Sequence, residues 1–569
     1  MKLLLSFLLL CSILFGSVSN AQAPSAVLNS MKEELDRSFN QLKTQKVPPY
    51  FLSYSVIEQK RTSIQATYGV LTSSSETHSR QLTLDLRVGS YALDNTHEIR
   101  GDFGAASNRY NYIPLPIEND DDALRTFLWL ETDKRYKRAL EEYTKVRTNK
   151  AVKVKEEDAS ADFSREQPEQ YSEPVKSLTV DKSVWEVKLK KYTQPFRSHP
   201  LIYGCDASFE AMVETKYFVN TEGSMLQFST PYIRLSLYAF SKADDGMELP
   251  RYESFFAFSP DSLPGDDVIL QKVEVMIDDL ERLRTAPIVD PYIGPAILSG
   301  GAAGVFFHEV LGHRSEGHRQ KSESEGQTFK KKLGERVMGD TIDVVYDPTI
   351  SRFGGQDLSG FYRYDDQGVK SMRVAIVERG VFRNFLMGRS PIEGFPTSNG
   401  HGRAQAGFQP VSRQSNLFII SRNPIPVAQL RMMLIDECRK RNKPYGLLFS
   451  EIQGGFTMTG RTMPNSFNVL PLIVYRVYVD GRPDEMVRGV DLVGTPLTAF
   501  GKVTAAADDV ETWYGYCGAE SGGVPVAQVS PSIYISEIEV QKKSKSQEKP
   551  PILPSPTNTG TTMPKGIQP

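Results

Sequence analysis

Residues 300–313 constrain this chain more tightly than any other stretch. The run Gly300-Gly301-Ala302-Ala303-Gly304-Val305-Phe306-Phe307 is small or apolar throughout and leads directly into His308-Glu309-Val310-Leu311-Gly312-His313. Such a run suits a buried helix. Two neutral imidazoles can hold a zinc ion, and a glutamate beside the first can take a proton from a metal-bound water. The usual zinc-protease motif spaces its histidines four apart, on one helix face. Here they are five apart, which on a regular helix turns the second ring about 140° from the first. For both rings to meet one metal, the helix must end or distort before His313, or absorb the extra residue as a π-bulge. Gly312 makes a break there cheap.

Two histidines do not complete a catalytic zinc site, which has three protein ligands and a position for water. The candidates for the third are His318, His401, Glu316 and the cysteines. Glu316 also offers a reversed His-x-x-Glu pairing with His313. Cys517 lies in Tyr514-Gly515-Tyr516-Cys517-Gly518, where flanking glycines let the backbone approach a metal closely.

The ends and the charge bound the setting. Lys2, the apolar stretch Leu3 to Phe15 and the small residues up to Ala23 form the pattern of an export signal. The apolar stretch is shorter than the about 20 residues that span a bilayer. Cleavage is expected after Ala21, with Ala23 the alternative disfavoured by Pro24. No later segment resembles a membrane span, so the mature chain is expected in the periplasm or outside the cell. A net charge of −2 gives no electrostatic case for nucleic acid. Beyond the signal stand Cys205, Cys438 and Cys517, too few for a disulfide scaffold. Their odd number leaves at least one thiol outside any internal bridge.

Periodicity divides the chain in two. An N-terminal domain over residues 24–287 carries a helix at 29–46, strand patterns over 50–95, a charged helix over 121–155 that dissolves into an acidic stretch, strands over 210–258 and an amphipathic helix at 266–284. A second domain over 288–540 holds the histidines. It continues with short strand-like runs at 341–346, 373–377, 381–386 and 417–420, a helix at 427–441, and strands at 471–479 and 532–540. The class is therefore α+β. Residues 541–569, rich in Lys, Ser, Pro and Thr, are expected to be a disordered tail.

Several segments carry a family resemblance: His308-Glu309-x-x-Gly312-His313 with Glu316-Gly317, Asp365-Asp366-Gln367-Gly368, Ser398-Asn399-Gly400, Pro410 to Asn416, Cys517-Gly518, Val524-Pro525-Val526 and Ser530-Pro531. In this order they resemble the TldD/PmbA family, TldD type, from about residue 291 to 540; the first domain matches only in outline and length. The resemblance implies a zinc-dependent peptidase with His308, His313 and Cys517 as ligands and Glu309 as general base. It implies an N-terminal α/β domain with a mixed sheet and a barrel-like C-terminal domain entered by the metal-binding helix. It also implies a homo- or heterodimer with a PmbA-type subunit, enclosing a site that admits short or unfolded peptides in extended form. His318 stands where the family more often has an acidic residue, which makes it a candidate extra ligand, and the export signal departs from cytoplasmic relatives. Asn399, Arg403 and Arg413 are candidates for orienting the peptide, with a structural role as the alternative. The competing expectation is a non-catalytic metal-binding or assembly subunit; a structural site does not need a base such as Glu309.

Overall fold

The computed structural model describes residues 25–99, 111–152, 158–462, 466–543, 548–553 and 555–556. The export signal expected over 1–21 and most of the expected tail lie outside the described residues. Helix α1 (Ala26–Leu42) is capped by Ser25, whose hydroxyl accepts from the Leu28 amide at 3.3 Å. Its stripe of Val27, Leu28, Met31 and Leu35 is buried at helical spacing. Strands β1 (Pro49–Thr67) and β2 (Val70–Val88) form a long hairpin. Its turn residues Tyr68 and Gly69 have φ of 45° and 79°, the left-handed pair that a two-residue hairpin loop demands.

Strands β3 (Ile202–Asn220), β4 (Met225–Lys242) and β5 (Glu248–Ala257) extend this sheet antiparallel in the order β2–β1–β3–β4–β5. It is mixed only through the short Gln170–Ser172, which runs parallel to β4. Helices α2 (Asp121–Val152), α3 (Lys182–Thr193) and α4 (Asp266–Thr285) join α1 on one face. That face carries Leu52, Tyr54 and Val56 of β1, Phe209 of β3 and Leu235 and Leu237 of β4. Because side chains alternate along a strand, Phe218, Tyr232 and Phe256 point the other way, and they pack against Tyr364 and Tyr514 of the second domain. Helix α3 was not among the expected elements, and β3 begins eight residues before the expected strand region at 210. The signal for α3 lies in Trp185, Leu189 and Tyr192, buried at helical spacing behind the N-cap Asp181, which accepts from the amides of Ser183 and Val184 at 3.0 and 3.3 Å.

The second domain is built on an eleven-stranded sheet. Strand β6 (Tyr292–Leu298) leads into helix α5 (Gly300–Phe307). Then come β7 (Ile342–Tyr346), β8 (Val374–Glu378), β9 (Asn416–Ser421), helix α6 (Val427–Lys440), β10 (Tyr445–Thr457), β11 (Phe467–Tyr478), β12 (Val490–Gly494), β13 (Val503–Ala519) and β14 (Gly522–Lys542). One edge of β14 pairs with β12 and the other with β6, and β12–β11–β10–β6 complete a five-strand ring. The barrel-like expectation is met by this partial ring, while β9, β7 and β8 continue from β14 as an open sheet. The last strand begins ten residues before the expected start at 532 and runs two past the expected boundary at 540, pairing Lys542 with Val490. Of the expected strand over 381–386 only Val381–Phe382 pairs as one. The chain then turns to run beside the histidine segment, with the Leu386 amide on the Ser315 carbonyl at 2.8 Å and the Gly317 amide on the Leu386 carbonyl at 2.8 Å.

Helix α5 is apolar all round and packs against β14, β10 and β13. A Cβ on Gly304 would meet the Gln528 Cβ of β14 at 2.7 Å, so the glycine sets how closely helix and strand approach. Cys205, Cys438 and Cys517 are all free and buried. Among the described residues no helix is long and apolar enough to cross a membrane.

The two domains are joined by charge as well as by aromatic packing. Lys216 Nζ lies 2.6 Å from Asp366 Oδ1. Arg251 of β5 is fully buried and pairs with Asp279 of α4 at 3.0 Å and with Glu451 of β10. Removing one partner of a buried ion pair leaves the others uncompensated. Arg251→Met is therefore expected to destabilise the protein by about 3–5 kcal/mol in urea unfolding followed by circular dichroism; an unchanged midpoint and slope would contradict this bridging role.

Candidate metal centre

The five-residue spacing is resolved by a π turn. Helix α5 passes into a π-helical segment over His308–Gly312, where the His313 amide bonds the His308 carbonyl five residues back, and a 3₁₀ turn follows over His313–Ser315. Of the two geometries the spacing allows, the chain adopts the bulge rather than the break. Gly312 is not a hinge: its φ of −53° and ψ of −60° are helical. It is needed for space, because a Cβ there would lie 2.0 Å from Gln414 Oε1. A π turn displaces carbonyls from their ordinary partners. Arg314 covers two of them, donating to the Glu309 carbonyl at 2.9 Å and the Val310 carbonyl at 3.4 Å.

The turn brings the two imidazoles together, with ring centres 5.1 Å apart and planes at 89°. Cys517 comes to them from β13, and its Sγ lies 3.6 Å from His313 Nε2. One ligand atom from each of His308, His313 and Cys517 lies within 4.8 Å of the others, and all three residues are buried. Tetrahedral zinc with bonds of about 2.0–2.3 Å needs ligand atoms about 3.3–3.8 Å apart, so a tightening of about 1 Å suffices.

The surroundings fit such an ion. His313 Nδ1 lies 3.3 Å from Glu316 Oε1, the carboxylate–histidine arrangement that leaves Nε2 for a metal. Glu316 is itself held by Arg319 at 2.8 Å and Arg413 at 3.5 Å. Burial raises the Glu316 carboxyl, but His313, Arg319 and Arg413 bring it down to about 2. At His308 Nδ1 stands the Gln528 carboxamide, with Nε2 at 3.0 Å and a buried Oε1 that has no hydrogen-bond partner. Rotating that carboxamide by half a turn lets the orphaned oxygen accept from Nδ1–H, the tautomer that frees His308 Nε2 as a ligand. Burial raises the Cys517 thiol, yet His313, His308 and Arg413 outweigh it and hold it well below its ordinary value. The thiolate is the form that binds metal.

Glu309 is buried but makes no hydrogen bond through its carboxylate among the described residues. It lines a cavity of about 330 Å³ together with His308, Val305, Gly455 and Trp513. A Cβ on Gly455 would meet Glu309 Cγ at 2.7 Å.

The other sequence candidates lie elsewhere. His318 is turned to Glu520, which Arg319 also holds at 2.7 Å, and it does not join the metal cluster. His401 is fully buried between Asn399 and Ser415 Oγ, the latter 3.3 Å from Nε2. Asn399, Arg403 and Arg413 are not brought to the cavity. Asn399 Nδ2 donates to the Phe385 carbonyl at 2.9 Å, Arg403 to the Gln414 carbonyl at 2.5 Å, and Arg413 to the Cys517 carbonyl and to Ser521 Oγ at 2.7 Å. Their role here is to hold the main chain around the centre, Arg413 most directly.

Gln414 and Gln528 were not singled out from the sequence. Gln414 Nε2 lies 3.4 Å from His308 Nε2 and 3.8 Å from Cys517 Sγ, while its Oε1 accepts from Tyr346 at 2.6 Å. It sits in the run Pro410 to Asn416, which carries the family resemblance without marking this residue. Gln528 lies in a strand, where a buried polar residue between Ala527 and Val529 is the only signal.

Residues 292–542 match the family model described as the PmbA/TldA metallopeptidase C-terminal domain. This segment is a C-terminal domain of the PmbA/TldD family. Among its relatives, a metalloprotease of Methanocaldococcus jannaschii is 31% identical over 231 residues, 40% of this chain and 47% of that protein. The chain thus spans about half the length of that relative. A metalloprotease TldD homolog of Haemophilus influenzae is 24% identical over 378 residues, covering 64% of this chain and 73% of that one. In three dimensions the chain is similar to TldE from Thermococcus kodakarensis, with a TM-score of 0.58, 11% identity, and coverage of 91% of this chain and 100% of that one. That likeness extends the family's fold through the N-terminal domain.

Because Gly312 is fixed by the Gln414 carboxamide, Gly312→Ala is expected to displace Gln414 and lower stability by about 1–3 kcal/mol, the cost of overpacking. Thermal denaturation followed by calorimetry measures this. A melting temperature equal to the parent's would contradict the packing described.

Proposed function

We propose that this chain is a zinc-dependent peptidase that hydrolyses short or unfolded peptides, with His308, His313 and Cys517 as ligands and Glu309 as general base. The observation that carries the reading is the pairing of a three-donor cluster with an unpartnered carboxylate on the wall of the adjoining cavity. The donor set of two imidazoles and a thiolate suits zinc, and the names of the metalloprotease relatives support the reaction class. A zinc ion held there would acidify a bound water and polarise the scissile carbonyl.

The chain's own residues do the remainder. Glu309 takes the proton from the attacking water and returns it to the leaving amine. Its lack of a competing hydrogen bond leaves both oxygens available for that transfer. Glu316 and Gln528 fix the two imidazoles through Nδ1. Trp513 and Val305 give the cavity apolar walls. We further propose that the chain works with a PmbA-type subunit or a second copy of itself, which the similarity to TldE supports, and that it acts in the periplasm or outside the cell, which the pattern of residues 1–21 supports.

Glu309→Ala is expected to retain zinc while peptide hydrolysis falls by about 10²–10⁴-fold; full activity in a zinc-loaded variant would remove Glu309 from the reaction, whereas a zinc-loaded parent that hydrolyses no peptide would favour a non-catalytic subunit. Cys517→Ser is expected to lose zinc on dialysis against a chelator that leaves the parent loaded, as read by metal analysis. Equal zinc content in both would exclude the thiolate from the ligand set.

A further inference from the structure

The cavity that holds Glu309 is shared between the two domains. Strands β4 and β5 of the first domain contribute Arg234 and Tyr252, and β13 of the second contributes Trp513, Tyr514 and Tyr516. Arg234 comes from the helix-free face of the sheet, two residues along β4 from Tyr232. Its Nε donates to Ser254 Oγ at 3.0 Å, one terminal nitrogen reaches the Tyr252 hydroxyl at 3.4 Å, and the guanidinium lies 4.9 Å from the centre of the Tyr516 ring.

Among the described residues no carboxylate forms an ion pair with Arg234. Glu210, its direct neighbour across the β3–β4 pair, lies 3.5 Å from Arg61 instead. A guanidinium carries five N–H donors; Ser254 and Tyr252 accept from two of them, and the Tyr232 hydroxyl also lies against the guanidinium. These neutral oxygens leave the charge without a counter-ion and donors for a ligand in a cavity that His308 and Glu309 also line. A cation withdrawn from water costs free energy until it is paired, and a guanidinium pairs best with a carboxylate, in two-point geometry.

We propose that Arg234 is a specificity residue that binds a carboxylate of the peptide substrate, either its C-terminus or an acidic side chain, while the scissile bond lies at Glu309. The inference rests on the peptidase reading above and adds the substrate class. A volume of about 330 Å³ is at the small end of ligand sites and holds a short length of chain, so a carboxylate near the scissile bond is the one in reach. The Tyr252, Tyr514 and Tyr516 rings offer surface for an apolar side chain beside it.

The test compares matched short peptides bearing a free C-terminus, a C-terminal amide, or a C-terminal amide with an acidic side chain, digested by the zinc-loaded full chain. The wild type is expected to favour a carboxylate-bearing peptide over the neutral amide by about tenfold or more in kcat/KM, the worth of a charge-assisted hydrogen bond. Arg234→Gln brings that ratio toward one, mainly through KM, and Arg234→Lys restores part of it. The two carboxylate arms show which source is read. A wild-type ratio near one, or a ratio unchanged in Arg234→Gln, overturns the inference while leaving the peptidase intact. Should Arg234→Gln fail to fold, the wild-type ratio and Arg234→Lys decide. If the wild type cleaves none of the peptides, the peptidase reading fails, and calorimetric binding of the same peptides to wild type and Arg234→Gln tests the carboxylate site alone. Equal binding of acid and amide would then refute it.

Discussion

One extra residue between two histidines sets the terms for the rest of the second domain. On a regular helix His308 and His313 would diverge by about 140°; the π turn over His308–Gly312 brings their rings within 5.1 Å between centres. A π turn is poorly stabilised on its own, so its neighbours have to supply what the helix lacks. Arg314 takes up the displaced carbonyls, Gln414 fills the space that Gly312 leaves open, and β14 presses Gln528 against His308. Each of these residues comes from a different segment. The geometry of the three-donor cluster is therefore a property of the assembled second domain and not of the helix alone.

The first domain matters to the site as well as to stability. Its sheet buries one face under four helices and turns the other toward the second domain. That second face carries Arg234 and Tyr252, which line the same cavity as Glu309. Arg251, bridging Asp279 and Glu451, and Lys216, paired with Asp366, hold the two bodies in that relation. The proposed chemistry belongs to the second domain, whereas the proposed choice of substrate belongs to the contact between the two.

Much of the centre was legible in the sequence because the side chains of the cluster are chemically distinctive. Two histidines, one glutamate and an isolated cysteine are few enough to be noticed, and their spacing posed a geometric problem with few solutions. Helices such as Val427–Lys440 and the second half of the long final strand, over 532–540, were also legible, since their apolar residues recur with clear periods. The residues that support the centre were not. Gln414 and Gln528 are ordinary in type and reach His308 only through long-range pairing of strands. Arg403 and Arg413 read equally well as ligand binders or as main-chain clamps, and only the fold shows their donors engaged with carbonyls. His318 resembled a ligand by type and position, yet the turn after His313 directs it to Glu520. Helix α3 was missed despite a regular stripe, because the acidic stretch before it obscured where the order resumes.

The most direct test of the proposed centre is X-ray absorption at the zinc edge on the metal-loaded full chain. Two imidazoles and one thiolate on a single ion predict a first shell with one sulfur at about 2.3 Å and nitrogen or oxygen scatterers at about 2.0–2.1 Å, and loss of the sulfur in Cys517→Ser. A first shell of nitrogen and oxygen alone in the parent protein would contradict the account.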